Sequence, residues 1–169
     1  MNLFRHSIIA ICSLITIISC DKKEKTKKEI VTYEKTSDPV QKLDTSIAII
    51  EITGNDTMQF NKKKIKVKAG QKIKLTLTHI GNLDINVMGH NFVLLKKNVD
   101  LADFAFKAMT AKENQYIPTN SKDVIAHTKL IGNGETTTIE FDAPEKGTYE
   151  FLCSFPGHYG MMKGKFIVE

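Results

Sequence analysis

The ten residues from Cys153 to Met162 contain four side chains that bind soft metal ions. The stretch reads Cys-Ser-Phe-Pro-Gly-His-Tyr-Gly-Met-Met, so a thiol, an imidazole and thioethers lie close together. Thiolate and thioether ligands favour copper(I), and imidazole accepts either oxidation state of copper. A cysteine and two histidines with a distant methionine form the ligand set of a blue-copper electron-transfer site. We therefore predict copper at Cys153 and His158, with Met161 or Met162 as the thioether.

A second histidine is needed to complete this set, and His90 is the candidate. It lies 63 residues before Cys153, in the segment Met-Gly-His-Asn-Phe. The apolar run at 92–95 that follows it predicts a buried strand. The rest of the chain must then form the scaffold that brings His90 against the loop from Cys153 to Met162.

These residues and several other segments resemble the azurin family of cupredoxins. The resemblance extends from about residue 47 to residue 169. Its segments are Gly54-Asn55-Asp56, Met58-Gln59-Phe60, His79 with Gly81-Asn82-Leu83, 86–91, 124–132 and 153–164. It implies an all-β, cupredoxin-like Greek-key β-sandwich with one short inserted helix, which carries single electrons on one type 1 copper ion.

The resemblance also assigns a role to each residue of the site. The implied copper ligands are His90, Cys153, His158 and Met162, with the backbone carbonyl of Gly89 on the opposite axial side. The backbone amides of Asn91 and Phe155 are expected to face the sulfur of the cysteine. Groups that contact the ligands tune a metal as strongly as the ligands do, so these two residues should influence the reduction potential.

The resemblance further implies how the protein meets its partners. It places an apolar docking patch around His158, formed by Met58, Leu83, Val87, Met88, Phe155, Pro156 and Met161. We expect a monomer that exchanges electrons with redox proteins such as c-type cytochromes or copper reductases. His79 and His127 match histidines that do not bind the metal in this family, and we expect neither to be a ligand here.

The chain divides into three segments. Residues 1–19 resemble a lipoprotein-type signal peptide, with Arg5 before an apolar core and Cys20 at its end. We predict that Cys20 is lipid-modified and attaches the protein to a membrane in the bacterial periplasm, since several acyl chains on one residue anchor stably. Residues 20–46 are rich in Lys, Glu and Thr and predict a flexible charged linker. Residues 47–169 form the predicted domain.

Short apolar segments separated by turn residues predict the strands of this domain. They lie at 47–52, 136–141, 148–153 and 165–168, with a hairpin or meander around Ala69-Gly70 formed by the alternating residues from Ile65 to Leu77. The apolar spacing of Leu101, Phe104, Ala105, Ala108 and Met109 predicts a helix over about 100–113, with all five packed inward. Tyr149 is either a corner tyrosine that fastens a loop or an ordinary core aromatic residue.

Composition excludes several other functions. The net charge of +5 is modest and the lysines are interspersed with acidic residues, so nucleic-acid binding is not expected. Cys12 leaves with the leader and Cys20 takes the lipid, so Cys153 is the one thiol of the predicted domain and no internal disulfide can form. The sequence has no nucleophile–base pair or nucleotide motif, so no enzyme is expected. A periplasmic copper carrier or storage protein is the alternative, and a structural zinc domain is a third reading, although zinc usually avoids methionine.

Overall fold

The computed structural model describes residues 46–169, which form nine strands, two short α-helices and two 3₁₀ turns. The predicted signal peptide (1–19), Cys20 and the predicted linker up to residue 45 lie outside the described residues. Among the described residues, no helix has the length and apolar character needed to cross a membrane. The strands are β1 (Ile47–Asn55), β2 (Gln59–Phe60), β3 (Lys64–Val67), β4 (Lys72–His79), β5 (Val93–Leu95), β6 (Val124–His127), β7 (Thr136–Asp142), β8 (Gly147–Leu152) and β9 (Lys163–Val168). The helices are α1 (Ile85–Met88) and α2 (Leu101–Ala108), and the 3₁₀ turns are Lys112–Asn114 and His158–Gly160.

The strands form two sheets that pack face to face. One sheet has the order β2-β1-β4-β7 and the other the order β3-β9-β8-β5-β6. Apolar side chains alternate with polar ones along β3 and β4, so that one face of each strand is buried and the other faces solvent. The buried faces of both sheets contribute to one apolar core, which includes Ile52, Leu75, Phe92, Phe151 and Phe166. The predicted all-β, two-sheet architecture is confirmed.

The strands on either side of Ala69-Gly70 do not form the predicted hairpin. β3 pairs in parallel with β9 in the five-stranded sheet, whereas β4 pairs with β1 and β7 in the other sheet. The backbone amide of Ala69 donates to the carbonyl of Glu169, and that of Lys72 donates to the carbonyl of Ser46, so the turn crosses between sheets. Alternating hydrophobicity shows which face of a strand is buried but does not show which strand is its neighbour.

The inserted helix is present but is shorter than predicted. α2 begins after Asp100, whose carboxylate accepts a hydrogen bond from the amide of Asp103, and it ends at Ala108. Beyond that residue the chain changes to bonds three residues apart, because the amide of Ala111 donates to the carbonyl of Ala108. Met109 is 40% exposed, so the prediction that it packs inward is wrong. The single turn α1 was not predicted, because four residues are too few to show a helical period.

Tyr149 has both of the roles predicted for it. Its ring is buried in the core, and its hydroxyl donates a 2.6 Å hydrogen bond to the carbonyl of Glu145. The bond fastens the turn between β7 and β8 to the sandwich. This turn precedes the strand that leads directly to Cys153.

Replacing Tyr149 with Phe should lower the free energy of unfolding by about 1 kcal/mol, because the ring stays packed and one hydrogen bond is lost. The measurement is urea denaturation of the metal-free protein followed by circular dichroism. Tyr159→Phe is the matched control, since the Tyr159 hydroxyl has no hydrogen-bond partner among residues 46–169. Equal midpoints for Tyr149→Phe and the wild type would contradict the assigned role.

Candidate metal centre

Three buried side chains converge at one end of the sandwich. The donor atoms of His90, Cys153 and His158 all lie within 4.8 Å of one another. The sulfur of Cys153 is 3.5 Å from Nδ1 of His158 and 4.0 Å from Nδ1 of His90. Within residues 46–169, no other group of three histidine, cysteine or acidic side chains is placed to hold a metal ion. The structure therefore brings together three of the four predicted side-chain ligands.

Backbone hydrogen bonds between distant segments bring these residues together. Cys153 follows β8 and Met162 precedes β9, and because these strands are neighbours the amide of Cys153 donates to the carbonyl of Met162 at 2.9 Å. His90 exchanges two backbone hydrogen bonds with Ile131. Gly157 has a φ of 83°, a left-handed conformation that favours glycine, and it turns the chain so that His158 points back into the protein.

The two adjacent methionines have opposite environments. Met161 is 51% exposed, whereas Met162 is completely buried. A Cβ atom on Gly54 would lie 2.7 Å from Cε of Met162 and 2.6 Å from Cδ2 of His90. The end of the Met162 side chain and the ring of His90 therefore both lie against the backbone of Gly54. This placement favours Met162 over Met161, and Met162 remains our predicted thioether ligand.

A backbone carbonyl from a distant strand orients the ring of His90. Burial lowers the pKa of His90, so the ring is neutral and carries one N–H at physiological pH. Nε2 lies 2.9 Å from the carbonyl oxygen of Asn55, and Nδ1 lies 3.0 Å from that of Gly89, so each nitrogen faces an acceptor. A metal ion bound at Nδ1 would select the tautomer in which Nε2 donates to Asn55. Sequence reasoning missed this contact, because any residue type can supply a backbone carbonyl.

The predicted carbonyl of Gly89 also lies at the centre. Its oxygen is 3.8 Å from the sulfur of Cys153 and 3.0 Å from Nδ1 of His90. A Cβ atom at Gly89 would approach the carbonyl oxygen of Ile85 to 2.5 Å, so a larger residue would move this backbone. Glycine is therefore required here by close packing and not by an unusual φ, which is −62°.

The thiol of Cys153 is protonated unless a cation replaces its proton. Complete burial raises the pKa of Cys153 to about 12, and backbone hydrogen bonds from Asn91 and Phe155 act in the opposite direction. These are the two amides that were expected to face the sulfur. A bound metal cation would stabilise the thiolate and release the proton, so metal binding at this site should depend on pH.

The side chain of Asn91 connects the two ligand segments. Its Oδ1 accepts a 2.8 Å hydrogen bond from the amide of Ser154, and its Nδ2 donates to Oγ of Ser154 and to the carbonyl of Gln115. The hydroxyl of Ser154 then donates to the carbonyl of Tyr116. Each polar group of this buried network has a partner, so the residues beside His90 and Cys153 are held at a fixed separation.

Among the predicted ligands, His158 is the nearest to the surface. It is 3% exposed, whereas His90, Cys153 and Met162 are 0% exposed. Burial lowers the pKa of His158 to about 4, with smaller contributions from His90 and His79. The ring of Phe155 packs against that of His158 with centroids 4.7 Å apart.

The other two histidines of residues 46–169 take no part in the three-residue cluster. His79 is fully buried, accepts a hydrogen bond on Nδ1 from the amide of Gly81 and donates from Nε2 to the carbonyl of Met88. Its ring stacks on that of His90 with centroids 4.4 Å apart. Both of its nitrogens therefore have hydrogen-bond partners, and its ring packs against the ring of His90, a predicted ligand. His127 lies exposed on β6.

The residues of the predicted docking patch differ in exposure. Leu83, Val87 and Met161 are 40%, 60% and 51% exposed. Met58, Met88 and Pro156 are partly buried. Phe155 is buried between Tyr116 and His158 and does not belong to the surface, because its ring fills the space beneath the ligand loop.

The donor chemistry of this centre fits copper. One thiol and two imidazoles converge, and a thioether is buried beside them. Residues 48–169 match the family model described as copper binding proteins of the plastocyanin/azurin family. The chain belongs to this plastocyanin/azurin family.

Curated members of the plastocyanin/azurin family match over nearly their whole length. Azurin-1 of Alcaligenes xylosoxydans xylosoxydans is 44% identical over 120 residues, which is 68% of this chain and 92% of that protein. The azurin of Pseudomonas chlororaphis is 42% identical over 125 residues, which is 71% of this chain and 97% of that protein.

Solved structures of the family share the architecture. The azurin Az-iso2 of Methylomonas sp. strain J has a TM-score of 0.66 and 33% identity, and the match covers 72% of this chain and 98% of that one. Auracyanin A, a "blue" copper protein of Chloroflexus aurantiacus, has a TM-score of 0.67 and 30% identity, with 73% and 99% covered. The predicted cupredoxin fold is confirmed, and the cluster of His90, Cys153 and His158 fits the type 1 copper site of azurin-like proteins.

Gly54→Ala should disturb the metal centre without changing any donor. The added methyl group would displace His90 or Met162, and such overpacking costs about 1–3 kcal/mol of stability. We expect weaker copper binding, measured by competition with a chelator. Gly160→Ala is the matched control, because an added Cβ there meets nothing within 4 Å. Equal copper affinity for the two variants would show that the close approach at Gly54 is unimportant.

The stability of the metal-free protein should depend on pH between about 6.5 and 4. The pKa of His158 is about 4 when folded and about 6.5 when unfolded, so in this range the unfolded chain binds more protons. The free energy of unfolding should therefore fall as the pH is lowered through this window, with the loss complete below about pH 4. His90 acts in the same direction, because burial also lowers its pKa.

Urea denaturation at several pH values measures this dependence. His158→Gln should show a clearly smaller fall than the wild type. His127→Gln, at an exposed position outside the cluster, should show the same fall as the wild type. Identical pH profiles for His158→Gln and the wild type would contradict the assignment.

Proposed function

We propose that this protein is a blue copper electron-transfer protein that shuttles one electron at a time between redox proteins such as c-type cytochromes or copper reductases, and that it is not an enzyme. The observation that carries the proposal is the graded burial of the predicted ligands. His90, Cys153 and Met162 are completely buried, and His158 alone retains a small exposed fraction. Such a centre keeps water and substrates away from three ligands and leaves one ring edge near the surface.

The residues of the centre hold their positions through bonds that do not involve a metal. The carbonyl of Asn55 fixes His90, the side chain of Asn91 joins the two ligand segments, and backbone pairing joins Cys153 to Met162. Copper, when bound, supplies a Cu(II)/Cu(I) couple that gains and loses one electron. A ligand set that is already fixed rearranges little when the charge changes, which favours rapid transfer.

The surface near His158 supports a brief contact with a partner. Leu83, Val87 and Met161 are exposed apolar residues of the predicted docking patch. A small apolar patch excludes water from a contact without binding tightly, and weak redox complexes have small interfaces. We therefore propose that electrons enter and leave through the ring edge of His158.

We also propose that the protein acts in the bacterial periplasm, attached to a membrane through Cys20. The apolar leader that ends at Cys20 supports this location. The charged segment at 20–46 would separate the domain from the membrane. Cys153 is the one cysteine among the described residues, and metal ligation gives a free thiol a stable role in an oxidising compartment. Mass spectrometry of the membrane fraction tests the anchor, because the wild type should carry acyl chains that Cys20→Ala lacks.

The decisive experiment is the visible absorption spectrum of the protein after addition of copper(II). We expect an intense thiolate-to-copper charge-transfer band that disappears on reduction and is absent from Cys153→Ser. Met162→Leu should shift the reduction potential, and Met161→Leu is the matched control that should leave it unchanged. A colourless protein that still binds copper(I) tightly would instead favour the copper carrier.

A further inference from the structure

A dense group of lysines lies on one side of the domain. The segment that leads into and out of β3 carries Lys62, Lys63, Lys64, Lys66 and Lys68, and all five are exposed. Ile65 and Val67 fill the alternate positions of β3 and are buried. The basic side chains of β3 therefore lie on its solvent face.

The neighbouring strand β9 extends the group. It contributes Lys163 and Lys165, both exposed, and Lys64 lies directly opposite Lys165 in the strand register. Like charges placed opposite each other destabilise a sheet. We call these seven lysines of β3, its flanking residues and β9 the basic surface.

Few carboxylates neutralise the basic surface. Glu169 pairs with Lys66, and Glu150 pairs with Lys165. Glu51 borders a shallow cavity of about 220 Å³ that Lys62, Lys64 and Lys66 also line. Asp100 borders a second cavity, which Lys163 and Lys165 also line. Seven lysines thus face four carboxylates, and within residues 46–169 no ion pair involves Lys62, Lys63, Lys64, Lys68 or Lys163.

Lysines on the four-stranded sheet face carboxylates. Lys72 and Lys74 of β4 each face a carboxylate on β7, Asp142 and Glu140 respectively. Both lysines of β4 thus have a carboxylate partner, whereas only two of the seven lysines of the basic surface, Lys66 and Lys165, form an ion pair. A role for the basic surface must account for this difference between the two sheets.

Protection of a sheet edge accounts for only some of the lysines of the basic surface. β3 is an edge strand, and lysines on edge strands discourage association with other chains. β9, however, lies between β3 and β8, so Lys163 and Lys165 protect no edge. The positive charge covers two strands and forms a surface.

The basic surface is continuous with the metal end of the domain. Nζ of Lys63 donates a 2.5 Å hydrogen bond to the carbonyl of Met161, an exposed residue of the docking patch. Lys163 directly follows Met162, the predicted thioether ligand. The two ends of β1 lie at opposite ends of the domain. The carbonyl of Ser46, before β1, accepts a hydrogen bond from the amide of Lys72, whereas the carbonyl of Asn55, at the end of β1, contacts His90 in the metal centre.

We propose that the basic surface attracts an acidic redox protein and delivers it to the docking patch beside His158. Charge next to the site of transfer raises the rate of productive encounter and acts more on association than on affinity. Lys63 and Lys163 lie beside the ligand loop, at the end of the domain that a partner of His158 must approach, so the charge at this end favours a protein that docks there over a lipid surface. This inference rests on the proposed electron-transfer function and adds the charge of the partner.

The test uses one haem protein in two charge states. Cytochrome c with its lysines succinylated is acidic, and unmodified cytochrome c is basic, while the haem is the same. Stopped-flow absorption follows transfer of one electron from the reduced haem iron to the full-length, copper(II)-loaded protein, with no atom or proton moved. We expect the acidic form to react faster at low ionic strength, and its rate to fall as salt is added.

Two variants of equal charge locate the effect. Replacement of Lys62, Lys64, Lys68 and Lys163 with Gln should slow the reaction with succinylated cytochrome c at low salt roughly tenfold or more. Replacement of Lys96, Lys112, Lys122 and Lys146 with Gln, at exposed positions outside the basic surface, should have a much smaller effect. Amide chemical shifts of the metal-free protein give a second readout, and the acidic cytochrome should perturb β3 and β9.

The outcomes separate this inference from the proposed function. If uncharged hydroquinone and both cytochromes fail to reduce the copper-loaded protein, electron transfer itself is wrong. If all three reduce it and the two variants behave alike, only the role of the basic surface is overturned. Loss of binding to phosphatidylglycerol vesicles, or self-association of the first variant, with unchanged transfer rates would likewise overturn it in favour of a lipid contact or edge protection.

Discussion

The buried thiol of Cys153 is the constraint on which the rest of the structure depends. Burial raises its pKa to about 12, although backbone hydrogen bonds from Asn91 and Phe155 act in the opposite direction. The thiolate that binds a metal ion is therefore unstable in the metal-free protein. A copper cation can compensate that charge, and two neutral imidazoles can complete its ligand set. The protein must therefore hold His90 and His158 at the sulfur without relying on the metal to gather them.

The sandwich meets this requirement by joining distant segments through backbone contacts. β8 and β9 place Cys153 beside Met162, and the pairing with Ile131 places His90 at the same end. The carbonyl of Asn55 and the stacked ring of His79 then hold His90 from two sides. Because these supports are hydrogen bonds and packing contacts of the chain itself, the arrangement does not depend on the oxidation state of copper, which suits a centre that exchanges electrons.

The surface divides the tasks of attraction and contact. Met161, an exposed apolar residue, lies three residues after His158 and donates its amide to the carbonyl of His158. Lysines, five of the seven without an ion pair among residues 46–169, extend from Met161 along β3 and β9. Long-range charge acts before contact, whereas apolar packing acts only after water has left. The placement of both around the least buried ligand joins the fold of this plastocyanin/azurin-family member to its proposed role as an electron carrier.

The sequence by itself determined the donor chemistry and most of the strands. The spacing of Cys153, His158 and Met162 depends on one short loop, and alternating apolar residues identify the buried face of a strand without reference to distant segments. Only the tertiary structure decided that β3 and β4 belong to different sheets, that α2 ends at Ala108, and that Asn55, Gly54 and His79 support the ligands. These features arise from contacts between residues far apart in the chain and often from backbone atoms that all residue types share, so no local pattern of side chains could specify them.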